Sequence, residues 1–187
     1  EQSSRQRTSE ALSSLPKAWM EIQIGSKPVG RVEIILYKDT VPRTTENFLK
    51  LCTGELSTEK RRLHYRHSII HKVVPGCLIE AGDIEKSSGM GGQSIYGPSF
   101  ADEAFVDAHE RRGLLSMSNR GPDTNGSRFF FTLRSLPEFD GKHVVFGEVS
   151  SGHAVLDAME AVETEYPDWP VTPIRILRCG QVADLTS

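Results

Sequence analysis

From position 18 the chain alternates. Met20, Ile22 and Ile24 fall between Trp19, Glu21 and Gln23, the period-two pattern of a half-buried strand. The stretch 26–30, Ser-Lys-Pro-Val-Gly, reads as a turn. Val32, Ile34 and Leu36 then alternate with Arg31, Glu33 and Tyr37, which predicts an antiparallel hairpin. A helix follows. Pro42 suits its first position, and Val41, Thr45, Phe48, Leu49 and Cys52 fall on one face. Thr53-Gly54 ends it. Short apolar runs predict strands over 68–74, 77–81, 113–118, 128–133, 144–149 and 174–179. A second helix starts near Ala154, with Val155, Ala158, Met159 and Val162 as its inner stripe. Asn125-Gly126 and Asp140-Gly141 are turn signals, because both dipeptides tolerate positive φ. Many short strands and two isolated helices predict a mainly β fold, a barrel or sandwich with helical caps.

Before this pattern begins, residues 1–17 carry Ser, Gln, Arg and Glu with few apolar positions. They read as a mostly disordered extension, with a short helix over 8–15 as the lesser option. Residues 18–187 read as one domain, as the total of 187 residues allows. The net charge of −3 gives no global reason to expect nucleic-acid or anionic-membrane binding. The cluster Lys60-Arg61-Arg62 is short enough for a solvated loop. No apolar run approaches the ~18 residues of a membrane span, and 1–7 lacks the apolar core of a secretory signal. Three cysteines make no disulfide framework. A reducing, cytoplasmic setting and a monomer are the expectation.

Several motifs together point further. His71-Lys72-Val73-Val74-Pro75-Gly76, Gly82-Asp83, Gly91-Gly92-Gln93-Ser94-Ile95-Tyr96-Gly97, Asn125-Gly126-Ser127-Arg128-Phe129-Phe130 and Phe139-Asp140-Gly141-Lys142-His143-Val144-Val145-Phe146-Gly147 follow one another in order, and Cys179-Gly180-Gln181 closes the series. The series resembles the cyclophilins, the peptidyl-prolyl cis-trans isomerases, from about Trp19 to about Gln181. The resemblance implies a closed barrel of eight antiparallel strands with one helix at each end. It also implies binding of Xaa-Pro segments in client or partner proteins.

The implied reaction needs neither metal nor cofactor. Rotation about an Xaa-Pro amide breaks its partial double bond, a barrier of about 18–20 kcal/mol. A catalyst needs an apolar slot for the proline ring, anchors for the flanking backbone, and a donor aimed at the prolyl nitrogen as the amide twists. By resemblance, Asn119 matches a backbone anchor, Phe130 the base of the slot and His143 the pocket histidine. Phe139 stands at the leucine position beside that histidine, and Ser118 where the family usually has alanine. Gly89 and Met90 belong to a glycine loop beside the pocket for residues preceding the proline.

Other positions depart from the family. Lys72 stands where the catalytic arginine is usual, and Cys77-Leu78 where Phe-Met is usual. Glu80 and Arg128 replace two glutamines, and Glu138 replaces a tryptophan that in the family donates to cyclosporin. Guanidinium is a planar fork, whereas ammonium is a hydrated point charge. Three arrangements are open: Glu80 pairs with Lys72; Glu80 pairs with Arg128 and leaves Lys72 free; or Arg128 leans in as the substitute donor. The expectation is isomerase-type recognition with reduced turnover and weak or no cyclosporin binding. The competing reading is a scaffold module that binds proline segments without catalysis.

The remaining features carry blander readings. His64, His67 and His71 could suggest a metal site; His67 and His71 share a strand face if the segment is regular, but no third ligand is evident, and His71 reads as a barrel-interior residue. Asn125-Gly126-Ser127 matches a glycosylation sequon but is read as a tight turn. Some family members share the Leu63-His64-Tyr65 ending of a longer loop and a cysteine pair matching Cys52 and Cys179. By residue type alone these are two buried thiols.

Overall fold

In the computed structural model, residues 7–183 are described. The first hairpin is β1 (Lys17–Ile24) and β2 (Lys27–Leu36). Along β1 the inward residues are Ala18, Met20 and Ile22, as the alternation predicts. The turn sits earlier than 26–30. Gly25 takes φ 59°, which an L side chain resists, so the chain reverses at Gly25-Ser26 and Pro28 already pairs with Gln23.

Helix α2 (Pro42–Thr53) begins on its proline and ends on Gly54 at φ 72°. Its preceding neighbour, α1, spans Ser9–Ser13. The inner face of α2 includes Leu51 at full burial, whereas Leu49 is only partly covered. The later strands are β3 (Ile69–Val74), β4 (Leu78–Ala81), β5 (Leu114–Met117), β6 (Phe129–Thr132) and β7 (Val145–Ser151). Then come α3 (His153–Glu160), a small hairpin of β8 (Thr164–Glu165) and β9 (Trp169–Pro170), and β10 (Ile174–Gln181). Leu156, absent from the predicted inner stripe of α3, is fully buried.

Eight of these strands close a barrel in the order β1-β10-β3-β4-β6-β5-β7-β2, all antiparallel. Closure removes the free sheet edges. The two longer helices sit at opposite ends. Phe48 of α2 meets Phe129 at 5.0 Å and Phe146 at 5.0 Å, and Phe129 pairs with Met117 at the end of β5. His153 of α3 instead lies against Gly113, just before β5 begins.

Within the 17 residues read as an extension, a helix occupies Ser9–Ser13. Residues 1–6 lie outside the described chain. Thr8 caps α1 by accepting from the Ala11 amide at 3.2 Å, and Leu12 and Leu15 rest against the barrel core.

The dipeptide Asn125-Gly126 does not form the expected turn. Neither residue has positive φ; the reversal falls at Asp123, φ 60°. Gly126 is favoured for another reason: a Cβ there would lie 3.0 Å from the Gly92 carbonyl, a tight approach. Asp140-Gly141 does turn, with Gly141 at φ 72°.

The aromatic end of the barrel sets a stability expectation. Phe48 is fully buried and touches Tyr65, Phe129 and Phe146. Phe48→Ala should cost about 3–5 kcal/mol, read as a lower urea midpoint at unchanged slope. A loss below about 1 kcal/mol would mean this end tolerates a void.

Candidate active site

Strand alternation divides β6 between two tasks. Phe129 and Phe131 face the barrel interior, while Phe130 faces outward. There it joins a second apolar cluster with Leu78 and Leu136, flanked by Val74, Cys77 and Phe139. Phe139 comes from a short 3-10 turn, Pro137–Phe139, and its amide donates to the Leu136 carbonyl at 3.0 Å. Phe130, Phe139 and His143 meet edge to face, with centroids 5.0–5.6 Å apart. The result is an aromatic slot with a polar edge.

His143 donates from Nδ1 to the Met117 carbonyl at 2.9 Å, leaving Nε2 as its acceptor nitrogen. Burial pushes its pKa below the ordinary value, with the Met117 bond opposing, so the ring is neutral near pH 7. Asn119 follows β5. Its amide donates to the Lys142 carbonyl at 2.7 Å, and its oxygen accepts from the Gly121 amide at 3.2 Å.

Behind the slot lies His109, fully buried. Its ring stacks on Phe130 with centroids 5.9 Å apart. Nδ1 is 2.7 Å from Asp140 Oδ1, and Nε2 is 2.8 Å from Ser116 Oγ. Nothing in the spacing of the chain singles out His109. Asp140 is visible only as a turn residue.

On β3 and β4 the charged positions line up. Lys72 pairs with Glu80 in register, and Glu80 with Phe130, so all three point outward. Glu80 accepts from Arg128 Nη1 at 3.1 Å and from Ser118 Oγ at 2.6 Å. His71 Nε2 lies 3.4 Å from the same oxygen. Burial raises the Glu80 pKa, but His71, Ser118 and Arg128 outweigh it, and the net shift is downward. Arg128 also donates to the Gly89 carbonyl at 2.6 Å.

Of the three open arrangements, the pairing of Glu80 with Arg128 is the one formed. Lys72 turns elsewhere: its Nζ lies 3.7 Å from Asp168 Oδ2. Asp168 stands between β8 and β9, and its carbonyl accepts from the Val73 amide at 2.9 Å. The small hairpin is thereby fastened to β3 beside Lys72. No local periodicity marks the segment 164–170, and so sequence reasoning misses Asp168.

His71 is not a barrel-interior residue. The register of β3 shifts between Ile70 and Lys72, a bulge that turns His71 outward. It lines a hollow of about 270 Å³ with Lys72, Glu80, Arg128 and Asp168. Gly89 packs over the ring; a Cβ there would meet His71 Cδ2 at 2.5 Å.

A neighbouring hollow of about 240 Å³ is lined by Gly91, Gly92, Ser118, Arg120, Thr124 and Arg128. Met90, on its loop, is exposed, and Arg120 donates to its carbonyl. The loop is held from beneath by Asp83, which accepts four amides, those of Glu85, Lys86, Ser88 and Gly91. A larger hollow of about 560 Å³, between residues 14–16 and α2, includes Gln181 from the closing motif but none of the slot residues.

The chain therefore brings together nearly all of the residues drawn from the motifs. The sequence from 19 to 181 matches the family of cyclophilin type peptidyl-prolyl cis-trans isomerase/CLD. The chain belongs to that family. It is also 44% identical over 170 residues to a peptidyl-prolyl cis-trans isomerase, cyp11, of Rhizopus delemar. That match covers 89% of this chain and 50% of the relative, so the chain spans about half the length of the protein it resembles. The closed eight-stranded barrel fits the cyclophilin assignment.

Against the cyclophilin motifs, Glu138 sits on the 3-10 turn at the slot's rim. It is exposed and pairs with Arg134 at 2.9 Å. In the long loop, Arg61 is held internally by Gln93 and the Ser94 carbonyl, both at 2.7 Å. Tyr65 is fully buried and donates to the Ser127 carbonyl at 2.6 Å. No helix of the described residues is long and apolar enough to cross a membrane. Among them, no three His, Cys, Asp or Glu side chains gather as metal ligands.

The cysteines differ sharply in setting. Cys52, Cys77 and Cys179 are free thiols. Burial drives the Cys52 pKa well up and that of Cys179 up to about 12, so both are poor thiolates at neutral pH. Cys77 is half-buried beside the slot. A small thiol reagent should modify Cys77 first, and mass spectrometry of the native protein should find the adduct there. Cys52 or Cys179 reacting faster would contradict this ranking.

Proposed function

We propose that residues 18–187 act as a monomeric cyclophilin-like domain that binds Xaa-Pro segments of client or partner proteins and turns them over slowly. The observation that carries this reading is the combination of an intact aromatic slot with a diverted cation. Phe130, Phe139, Leu78 and His143 supply the proline site. Asn119 and Ser118 stand at its polar edge, and Cys77 at its mouth. The two hollows meeting at Arg128 receive the flanking chain, with Gly89 and Met90 on their rim.

Binding and catalysis separate at Lys72. Binding needs the slot and its rim. Catalysis also needs a donor at the prolyl nitrogen that strengthens as the amide twists. Lys72 has one ammonium, and Asp168 competes for it. Arg128 is already committed to Glu80 and the Gly89 carbonyl, which supports a role in shaping the pocket over one as substitute donor. Losing a positioned charge-assisted contact costs about 1.5–3 kcal/mol, roughly tenfold to a few hundredfold in rate. The same diversion of Lys72 favours a second reading, a proline-binding scaffold without useful turnover. A reducing, cytoplasmic setting accords with three free thiols. The closed barrel offers no free strand edge for self-pairing.

An isomerisation assay on a short Ala-Pro peptide, with binding measured in parallel, tests the assignment. The unmodified chain should bind the peptide and show low kcat/KM. Lys72→Arg should raise kcat/KM about tenfold or more with little change in affinity. An unchanged rate would show that Lys72 is not the limiting group. Arg128→Gln should leave residual turnover in place; its loss would make Arg128 the donor after all.

Cyclosporin binding should be weak or undetectable. Glu138 cannot donate at neutral pH, and stripping water from it against an apolar macrocycle is unfavourable. Neither tryptophan substitutes: Trp169 lines the Lys72 hollow and Trp19 is in β1. Calorimetry should show recovery of part of the affinity in Glu138→Trp. Nanomolar binding by the unmodified protein would overturn the weight placed on this position.

A further inference from the structure

Ten residues before β1, one side chain is buried as deeply as a core residue. Arg7 has a side-chain exposure of only 5%. Its guanidinium lies over the Tyr37 ring, 3.7 Å from the centroid. Nη1 and Nη2 reach the two oxygens of Asp107 at 2.8 and 2.9 Å, a parallel fork. Nε donates to Asp39 at 3.1 Å, and Nη2 also donates to Thr40 Oγ1 at 3.0 Å. Every guanidinium nitrogen is satisfied. A solvent-facing extension would not need such a socket.

The socket leads to the proline slot. Asp107 itself is buried, with 4% side-chain exposure. Two residues on is His109, whose amide donates to Asp140 Oδ1 at 2.8 Å and whose carbonyl accepts from Leu136 at 2.7 Å. The His109 ring stacks on Phe130 and meets Phe139 edge-on at 6.0 Å. Leu136 and Asp140 bracket the turn that presents Phe139. Thus residues 107–109 are held at one end by Arg7 and at the other by the back wall of the slot.

We propose that Arg7 is a positioning residue for the proline site. It acts through Asp107 and His109 on Phe130 and Phe139, so the segment entering the domain is part of the pocket's support. Without the fork, Asp107 loses its partner and the 107–109 segment relaxes. The aromatic wall then loses its fixed spacing. This inference rests on the proline-binding reading for its effect on affinity, but not for its effect on His109.

The test compares Arg7→Ala, Arg7→Lys and Leu156→Ala in the full chain. Leu156 is fully buried in α3, at the other barrel end, and serves as a control for general destabilisation. Affinity for the Ala-Pro peptide is measured together with the His109 ring signals by NMR, below the melting range of all three. Arg7→Ala should weaken binding about threefold or more and move the His109 signals. Arg7→Lys keeps the charge without the fork and should fall between. Leu156→Ala should move neither readout. Arg7→Ala with affinity within about twofold and His109 unmoved would overturn the proposal, as would equal losses in Leu156→Ala. If the unmodified chain binds no peptide, the proline reading fails, and the His109 signals alone decide the coupling: moved supports it, unmoved rejects it.

Discussion

Side-chain alternation along β6 is the constraint on which the rest depends. Three consecutive phenylalanines cannot share one face of a strand. Phe129 and Phe131 are therefore committed to the barrel core, where Phe48, Tyr65 and Phe131 all meet Phe129, and Phe130 is committed to the outer surface. An outward phenylalanine at 3% exposure needs its own cover. Leu78, Leu136, Phe139 and the two histidines provide it. The slot is thus a second, smaller core on the outside of the first, and a slip of one residue in β6 would destroy both together.

A largely covered carboxylate organises the polar side in the same way. Glu80 sits on β4 beside Phe130, and removing it from water is costly unless donors replace the solvent. Arg128 and Ser118 do so, with His71 close by. These contacts hold Glu80 ionised and draw Arg128 inward toward the Gly89 carbonyl. One acid thus fixes the strand, the glycine loop and the end of β5 relative to one another. Lys72, left outside that arrangement, is answered by Asp168.

What was legible in the chain follows from how far each cause reaches. The β1–β2 alternation, the proline and glycine bounds of α2, and the outward Phe130 are local, and their residue types declare them. The motif resemblance singled out residues that the fold gathers into one aromatic cluster, because their order along the chain is distinctive. The partner of Lys72 was not legible, because Asp168 is brought to β3 by one backbone bond to Val73 across nearly a hundred residues. The bulge at His71 arises from strand pairing, not from composition. Asn125-Gly126 misled because its glycine answers a close approach to Gly92 and not a backbone reversal. The burial of Arg7 was hidden in a segment whose composition resembles a solvated tail.

The packing around Asn125 also determines what covalent history the domain can have. Asn125, Gly126 and Ser127 are all buried. The Asn125 amide donates to Asp102 at 2.8 Å, and Ser127 donates to the Gly82 carbonyl at 2.5 Å. A sugar on that nitrogen would occupy the space of the Phe100 carbonyl and the Asp102 carboxylate. The sequon is thus open to a transferase only while the chain is unfolded, and a modified chain could not close its barrel around this corner. Folding and glycosylation at this site are mutually exclusive outcomes, whichever compartment the chain passes through.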